Sequence, residues 1–240
     1  MIPKVIHYCW FGRNPLPQLA IDCIKSWKRY LPDYEIKEWN EDNFDVNSIA
    51  YVKEAYKEKK YAFVSDYARF WILYHHGGLY FDTDVEVIKS MDDIISVGGF
   101  MGCENDCINP GLGMAVAPGL GIYKDMLDIY AKLSFYNADG TLNQTTIVEY
   151  TTKLLIQHGM KNETGIQEVS GIWIYPKDFF CPLDYKTGVL TITDNTRTIH
   201  HYTASWHTPS QKFKIFLTQK LGSGIMLKLS KIKQALKRLL

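Results

Sequence analysis

Two aspartates, Asp82 and Asp84, stand one residue apart where a strand-like segment ends. Two carboxylates in this arrangement can hold a hard divalent cation, which prefers oxygen ligands and readily shares its shell with a diphosphate. The simpler alternative is a pair of solvated turn carboxylates, because short acidic tripeptides are frequent. The framing residues Ser65–Arg69 and Gly77–Tyr80 favour the cation site over that alternative.

Four further charged or titratable positions extend this set. Asp66 and Arg69 lie three residues apart, so they share one face of a predicted helix, where a local ion pair is the plain interpretation. His200 and His201 follow a β-rich stretch, so one of the two faces a given side of its strand. An imidazole beside carboxylates suits Mn2+ somewhat better than Mg2+. A histidine of this kind, taken alone, is more often a structural residue than a metal ligand.

The elements that must position these side chains follow from apolar spacing. The pattern predicts strands at 5–10 and 34–39, helices at 19–31, 48–60, 61–75, 123–135 and 145–158, and a hairpin at 187–200. Gly77-Gly78 suits the end of the third helix. The order strand–helix–strand–helix–strand predicts a doubly wound α/β fold with a mainly parallel, Rossmann-type sheet. Trp10 and Asp82 fall at carboxyl ends of strands, where such sheets bind ligands.

Length and composition point to a soluble enzyme of one main domain. The 240 residues suffice for one substantial core. Five cysteines form an odd set without any Cys-x-x-Cys pair, which argues against a disulfide framework or a structural zinc site and favours a reducing cytosol. We expect no signal peptide and no membrane span. No Gly-x-Gly-x-x-Gly or Walker loop is present, which argues against dinucleotide or ATP chemistry.

The charge is distributed unevenly along the chain. Residues 211–240 contain eight Lys or Arg and no acid, which leaves 19 basic against 26 acidic residues in the remainder. Within 225–240 the apolar residues fall on one stripe and the basic ones mostly elsewhere, a pattern typical of a helix lying in an anionic membrane surface. The alternative is a C-terminal helix packed on the domain. An acidic body with an amphipathic basic stripe argues against a nucleic-acid partner.

Three blocks of sequence together resemble one enzyme family. They are the opening 2–12 (IPKVIHYCWFG), the central 65–85 around Asp82-Thr83-Asp84, and 199–206 (IHHYTASW). In this order they resemble glycosyltransferase family 32, whose members carry the DXD sugar-binding region, and more distantly the glucosylating clostridial toxins. The resemblance implies a GT-A-like catalytic domain over 1–210, followed by the basic tail at 211–240.

The resemblance also implies roles around a metal-bound diphosphate. Asp84 is the first choice for direct metal ligation, and Asp82 binds the metal, the ribose hydroxyls or both. The family motif begins at the histidine six residues before Trp206, which favours His200 as the third ligand and leaves His201 as the alternate. Ser205 and Trp206 match positions whose hydroxyl and indole N–H donate to the diphosphate.

Further matched positions concern the donor. Trp10 resembles a tryptophan that stacks on the nucleotide base, with core packing as the alternative. Asp66 would bind sugar hydroxyls while Arg69 contacts the sugar or steadies the carboxylates. Tyr80 matches a position beside the donor pocket, and Asn109 lies where relatives contact the sugar or the acceptor.

These considerations predict a metal-dependent, retaining glycosyltransferase using Mn2+ or Mg2+. It would move a hexose or N-acetylhexosamine from a nucleotide sugar, UDP-linked by resemblance to the toxins, to a saccharide acceptor. We expect a lipid-linked acceptor, a role in bacterial surface polysaccharide synthesis, and a cytoplasmic location on the inner face of the cell membrane. Two alternatives stay open: a diphosphate-cleaving phosphoryl or nucleotidyl transferase, and a non-catalytic, membrane-associated sugar-binding protein.

Overall fold

The first strand of the chain, β1 (Val5–Cys9), lies second from one edge of the main sheet, and its last four residues are all buried. The computed structural model describes residues 1–203. In it β1 pairs in parallel with β2 (Glu35–Trp39) on one side and β3 (Gly78–Tyr80) on the other. Apolar residues occupy both faces of β1 because helices cover both, as expected of a parallel strand.

The sheet continues beyond β3 through strands of mixed direction. Its order is β2-β1-β3-β7-β5-β9-β8, and a short β6 pairs with β5. The added strands are β5 (Gly99–Glu104), β6 (Cys107–Ile108), β7 (Met114–Val116), β8 (Gln167–Val169) and β9 (Ile172–Tyr175). Because β7 is antiparallel to both β3 and β5, and β9 is parallel to β5, five of the seven strands in that order run the same way. The predicted mainly parallel sheet is therefore confirmed.

Seven helices lie among the described residues. They are α1 (Gln18–Tyr30), α2 (Ala50–Lys57), α3 (Tyr61–His76), α4 (Asp92–Val97), α5 (Gly121–Tyr130), α6 (Ile147–Gln157) and α7 (Lys177–Phe180). The predicted helix at 123–135 ends earlier, at Tyr130. The chain then turns away, because Glu54 of α2 accepts hydrogen bonds from the Phe135 N–H at 2.7 Å and the Ser134 hydroxyl at 2.8 Å.

Helix α3 is the most buried helix and ends where the sequence predicts. Gly77 follows its last residue with φ at 63°, a left-handed conformation that glycine adopts without strain. The Gly77 N–H donates to the Leu73 carbonyl at 2.8 Å, and β3 begins at the next residue. This sharp exit from helix to strand fixes Asp66 and Arg69 of α3 next to the end of β3.

A second, two-stranded sheet begins directly after Asp84. β4 (Val85–Val87) pairs with antiparallel β10 (Thr198–His200), with His200 opposite Val85. Helix α1 also bonds to β4: the Trp27 indole N–H donates to the Val85 carbonyl at 2.7 Å, and the Ser26 hydroxyl accepts from the Val87 N–H at 2.9 Å. The predicted hairpin at 187–200 is wrong in its pairing, because the strand at its end pairs with β4, far away in sequence.

The chain divides into two compact units. The larger comprises 1–182 and 192–201, and it holds the sheet and the candidate site. The described part of the smaller contains an antiparallel bridge between Leu183 and Leu190, and the rings of Tyr185 and Tyr202 lie 5.1 Å apart.

Several predictions concern residues that the structure does not describe. Ser205, Trp206, the boundary at residue 210 and the basic stretch at 225–240 lie outside the described residues. Within 1–203, none of the helices combines the length and the apolar character that crossing a bilayer requires.

One buried histidine in β1 makes the stability of the fold depend on pH. The Trp39 indole N–H donates to His7 Nδ1 at 3.0 Å, so the neutral ring carries its proton on Nε2 and donates it to the Gly77 carbonyl at 3.0 Å. Burial lowers the pKa of His7 to about 4. Because the pKa of His7 is lower in the folded state, the unfolded chain binds a proton more readily. The folded state therefore has this stabilisation in full above pH 6.5, the unfolded-state pKa, and loses it as the pH falls towards 4.

We therefore expect acid to destabilise the protein through His7. Between pH 7 and pH 5, wild type should lose about 2 kcal/mol more of its unfolding free energy than His7→Gln does. Urea denaturation at both pH values measures this difference, with His75→Gln at an exposed histidine as the control. Equal losses in wild type and His7→Gln would refute the assignment.

Candidate functional site

Arg69 of α3 holds two carboxylates from different elements together. Its Nη2 lies 3.0 Å from Asp66 Oδ1 and 3.1 Å from Asp82 Oδ1, and its Nη1 donates to Asp82 Oδ2 at 3.4 Å. The guanidinium carbon lies 5.0 Å from the ring centre of Tyr80, in cation–π contact. The Arg69 side chain is 5% exposed, so this ion pair operates away from bulk water. The predicted local pair of Asp66 and Arg69 is thus present and extends to Asp82.

Asp66 is a buried acid whose charge is costly. Burial raises its pKa to about 7, with Arg69 opposing this effect and Asp82 adding to it. The carboxylate also accepts a hydrogen bond from the backbone N–H of Ile147, the first residue of α6. A helix N-terminus favours a negative charge, so α6 helps Arg69 to hold Asp66 in its ionised form.

Asp82 follows β3 and is held by backbone and side-chain contacts. Its N–H donates to the Gly111 carbonyl at 3.3 Å, and the Tyr80 hydroxyl donates to its Oδ1 at 3.2 Å. A Cβ at Gly111 would overlap Asp82 Oδ2, so only glycine permits this close approach. Burial and the charge of Asp84 raise the pKa of Asp82, and Arg69 opposes them.

Asp84, Asp82 and His200 converge on one point. One ligand atom from each lies within 4.8 Å of those of the others, and His200 Nε2 is 3.2 Å from Asp84 Oδ1. Burial disfavours the imidazolium, but the charges of Asp84 and Asp82 outweigh it and raise the pKa of His200. His201 lies against another carboxylate, its Nε2 being 2.9 Å from Glu86 Oε2.

The residues present fit a divalent cation. Two carboxylates and one imidazole are the oxygen and nitrogen donors that Mn2+ or Mg2+ accepts in proteins. Burial is the main cause of the raised pKa of Asp82, and repulsion from Asp84 adds to it, while the charges of Asp84 and Asp82 together raise the pKa of His200. A cation at this point would relieve that repulsion and would require His200 to release its proton.

Trp10 and Tyr80 differ in how a ligand could reach them. Trp10 follows β1 and is partly exposed, with its indole N–H donating to the Asn14 carbonyl at 2.6 Å. That bond fixes the ring plane while leaving ring surface accessible. Tyr80 is only 1% exposed, so its ring supports Arg69 and its hydroxyl supports Asp82.

Asn109 uses its side-chain amide inside the protein. Its Oδ1 accepts from the Gly111 N–H at 2.8 Å, and its Nδ2 donates to Glu104 Oε2 at 2.6 Å. The residue caps the short 3-10 helix Pro110–Leu112, which brings Gly111 against Asp82. In the described conformation Asn109 therefore shapes the site through its neighbours.

Sequence reasoning missed three contributors to this site. They are the glycine at 111, the backbone N–H of Ile147 and the carboxylate of Glu104. The dipeptide Pro110-Gly111 carried a turn signal that could have singled out the glycine. A backbone donor and a lone acid at the end of a strand carry no comparable signal.

Comparisons with known proteins agree with the resemblance read from the motifs. Residues 17–100 match the family described as a glycosyltransferase sugar-binding region containing DXD motif. Inositol phosphoceramide mannosyltransferase 1 of Schizosaccharomyces pombe is 31% identical over 111 residues, which are 42% of this chain and 33% of that protein. The match thus spans about a third of that relative's length.

Two solved structures share the fold. The PaToxG glycosyltransferase superposes with a TM-score of 0.52 at 19% identity, over 65% of this chain and 69% of the other. A glycosyltransferase involved in the glycosylation of the major capsid of PBCV-1 gives 0.50 at 13% identity, over 88% and 97%. The predicted GT-A-like fold is confirmed by these likenesses.

The contact between Gly111 and Asp82 predicts a specific loss in Gly111→Ala. The added methyl group would displace the Asp82 carboxylate, so we expect affinity for Mn2+ to fall at least tenfold while the fold persists. Calorimetric titration with Mn2+ alone measures the affinity, and circular dichroism checks the fold. Gly121→Ala is the matched control, because a Cβ there meets no atom within 4 Å. Unchanged Mn2+ affinity in Gly111→Ala would contradict the proposed cation site.

Proposed function

We propose that this chain, which is similar to the DXD-containing sugar-binding region over residues 17–100 and shares its fold with two glycosyltransferases, transfers a hexose or N-acetylhexosamine from a nucleotide sugar to a saccharide acceptor. The observation that carries this proposal is the convergence of Asp82, Asp84 and His200 beside the buried Asp66–Arg69 pair. The first three side chains fit a metal-bound diphosphate. The pair fits a sugar, whose hydroxyls need fixed acceptors and donors.

The chemistry asked of these residues is mainly electrostatic. The bond from the anomeric carbon to the diphosphate oxygen breaks, and its electron pair leaves with the diphosphate. A divalent ion held by Asp82, Asp84 and His200 would neutralise that growing negative charge. Arg69 keeps Asp82 in place for this task, and its donors are already oriented before the reaction begins.

The donor sugar would lie beside Asp66. Its carboxylate has a pKa raised to about 7 by burial, so any hydrogen-bond donor from the sugar favours the ionised form. A sugar hydroxyl that donates to Asp66 would gain the strength of a charge-assisted hydrogen bond. Trp10, which is partly exposed after β1, would stack on the base.

The finer parts of the proposal concern the donor, the acceptor and the place of action. We propose that the donor is UDP-linked and that the anomeric configuration is retained. We further propose that the acceptor is lipid-linked and that the enzyme takes part in bacterial surface polysaccharide synthesis at the inner face of the membrane. The mannosyltransferase relative, whose name gives inositol phosphoceramide as its acceptor, supports a lipid-linked acceptor. It also makes GDP-mannose a second candidate donor.

A panel of nucleotide sugars tests the donor proposal. We expect one among UDP-glucose, UDP-galactose, UDP-N-acetylglucosamine and GDP-mannose to raise the melting temperature of the wild type in the presence of Mn2+. A ligand that binds only the folded state stabilises it by about 2.7 kcal/mol at a hundredfold excess over Kd. Asp84→Asn should lose this shift because a direct metal ligand is removed.

The control and the products decide between the alternatives. Asp33→Asn, at an exposed carboxylate paired with Lys4, should retain the full shift. Release of a nucleoside diphosphate supports glycosyl transfer, whereas a nucleoside monophosphate indicates a nucleotidyl or phosphoryl transferase. Binding without turnover would favour a sugar-binding protein, and no shift with any nucleotide sugar would remove the proposal's main support.

The basic tail predicts attachment to an anionic membrane. Full-length protein should co-sediment with vesicles containing phosphatidylserine, and far less with neutral vesicles. Replacing Lys228, Lys231, Lys233 and Lys237 together by Gln should abolish co-sedimentation, because each basic side chain near such a surface contributes about 1 kcal/mol. Wild type that ignores anionic vesicles would refute membrane attachment while leaving the donor proposal intact.

A further inference from the structure

A third carboxylate stands at the same edge of the sheet as Asp82. Glu104 is the last residue of β5, which runs in the same direction as β3 because both are antiparallel to β7. Both strands therefore end at one edge. Asn109 links Glu104 to the cation site, because its side chain bonds both Glu104 and Gly111, and Gly111 lies directly against Asp82 Oδ2.

Glu104 is oriented by a buried amide. Asn109, 8% exposed, donates from Nδ2 to Glu104 Oε2 at 2.6 Å. Its own backbone N–H donates to the Gly102 carbonyl at 3.1 Å, and its Oδ1 accepts from Gly111 at 2.8 Å. These three hydrogen bonds fix Asn109, which in turn fixes Oε2 of Glu104. The Asn109 amide does not use the other oxygen, Oε1.

The other carboxylates of the site form close ion pairs, and Glu104 forms none with the residues that the structure describes. Asp66 and Asp82 share Arg69, and Asp84 lies against His200. Glu104 is only partly buried, so a ligand can reach it. A fixed, accessible carboxylate without a cation is a strong acceptor for hydroxyl groups.

We infer that Glu104 orients the attacking nucleophile, by accepting a hydrogen bond from the acceptor saccharide or from the water molecule that replaces it in hydrolysis. This inference rests on the proposed function. The attacking oxygen bonds to the anomeric carbon as the bond to the diphosphate oxygen breaks, with its electron pair leaving on the diphosphate. The proton of the attacking hydroxyl passes to the diphosphate. Glu104 holds a second O–H: the other hydrogen of water, or a neighbouring hydroxyl of the saccharide.

Glu104→Gln tests this role without removing volume. The Asn109 amide N–H would bind the new carbonyl oxygen and turn the new NH2 group, which cannot accept a hydrogen bond, towards the nucleophile. We expect hydrolysis of the bound nucleotide sugar, measured in a single turnover with Mn2+, to slow at least tenfold. The Kd for the same nucleotide sugar, measured by calorimetry, should change less than twofold, a split that a merely structural role would not produce.

Asp106→Asn is the matched control, because this exposed carboxylate lies in the turn of the same hairpin. It should leave both the rate and the Kd unchanged. Equal rates in wild type and Glu104→Gln, including no turnover in either, would overturn the inference. So would parallel losses of rate and donor affinity, which would place Glu104 in the donor site. If wild type binds no nucleotide sugar at all, the proposed function itself fails. Failure of the proposed function can thus be told apart from failure of the inference about Glu104.

Discussion

The buried contact of Arg69 with Asp66 and Asp82 is the constraint on which the rest of the site depends. A charged group in a low-dielectric interior must be paired, and removing one partner of a buried ion pair typically costs about 3–5 kcal/mol. Arg69 satisfies this demand with both carboxylates at 3.0–3.1 Å. The contact ties helix α3 to the end of β3, so the sheet edge and the helix are set relative to each other by charge as well as by packing.

The charges at this edge of the sheet would suit an anionic ligand only once a cation is bound, because the edge itself is acidic. Asp66, Asp82 and Asp84 are set against one permanent cation, Arg69, and one imidazole, His200. The negative charge of Asp84 and Asp82 raises the pKa of His200 and would favour a further cation. With that cation in place, the site would present positive charge to phosphates while its outer carboxylates remain available to hydroxyl groups.

Local patterns in the sequence predicted the elements but not all of their partners. The strands around Val5–Cys9 and Glu35–Trp39, the helix that ends at Gly77, and the Asp-x-Asp at a strand end were readable because each depends on neighbouring residues. The pairing of β10 with β4 is not readable in this way, because it joins residues far apart in the sequence. The His201 N–H, for example, donates to the carbonyl of Asp84, 117 positions earlier (201 − 84). Likewise, nothing in the local sequence says that Gly111 lies against Asp82 or that Asn109 holds Glu104.

The strand pairing of β4 and β10 has a consequence for the order of folding. His200 reaches Asp84 only after nearly the whole described chain has been laid down and β10 has docked onto β4. Closing so long a loop is entropically unfavourable until the sheet and α1 already hold β4 in place. A partly folded chain therefore has the two aspartates but lacks the imidazole. The complete set of candidate ligands arises late, so full affinity for a cation would be a property of the finished fold alone.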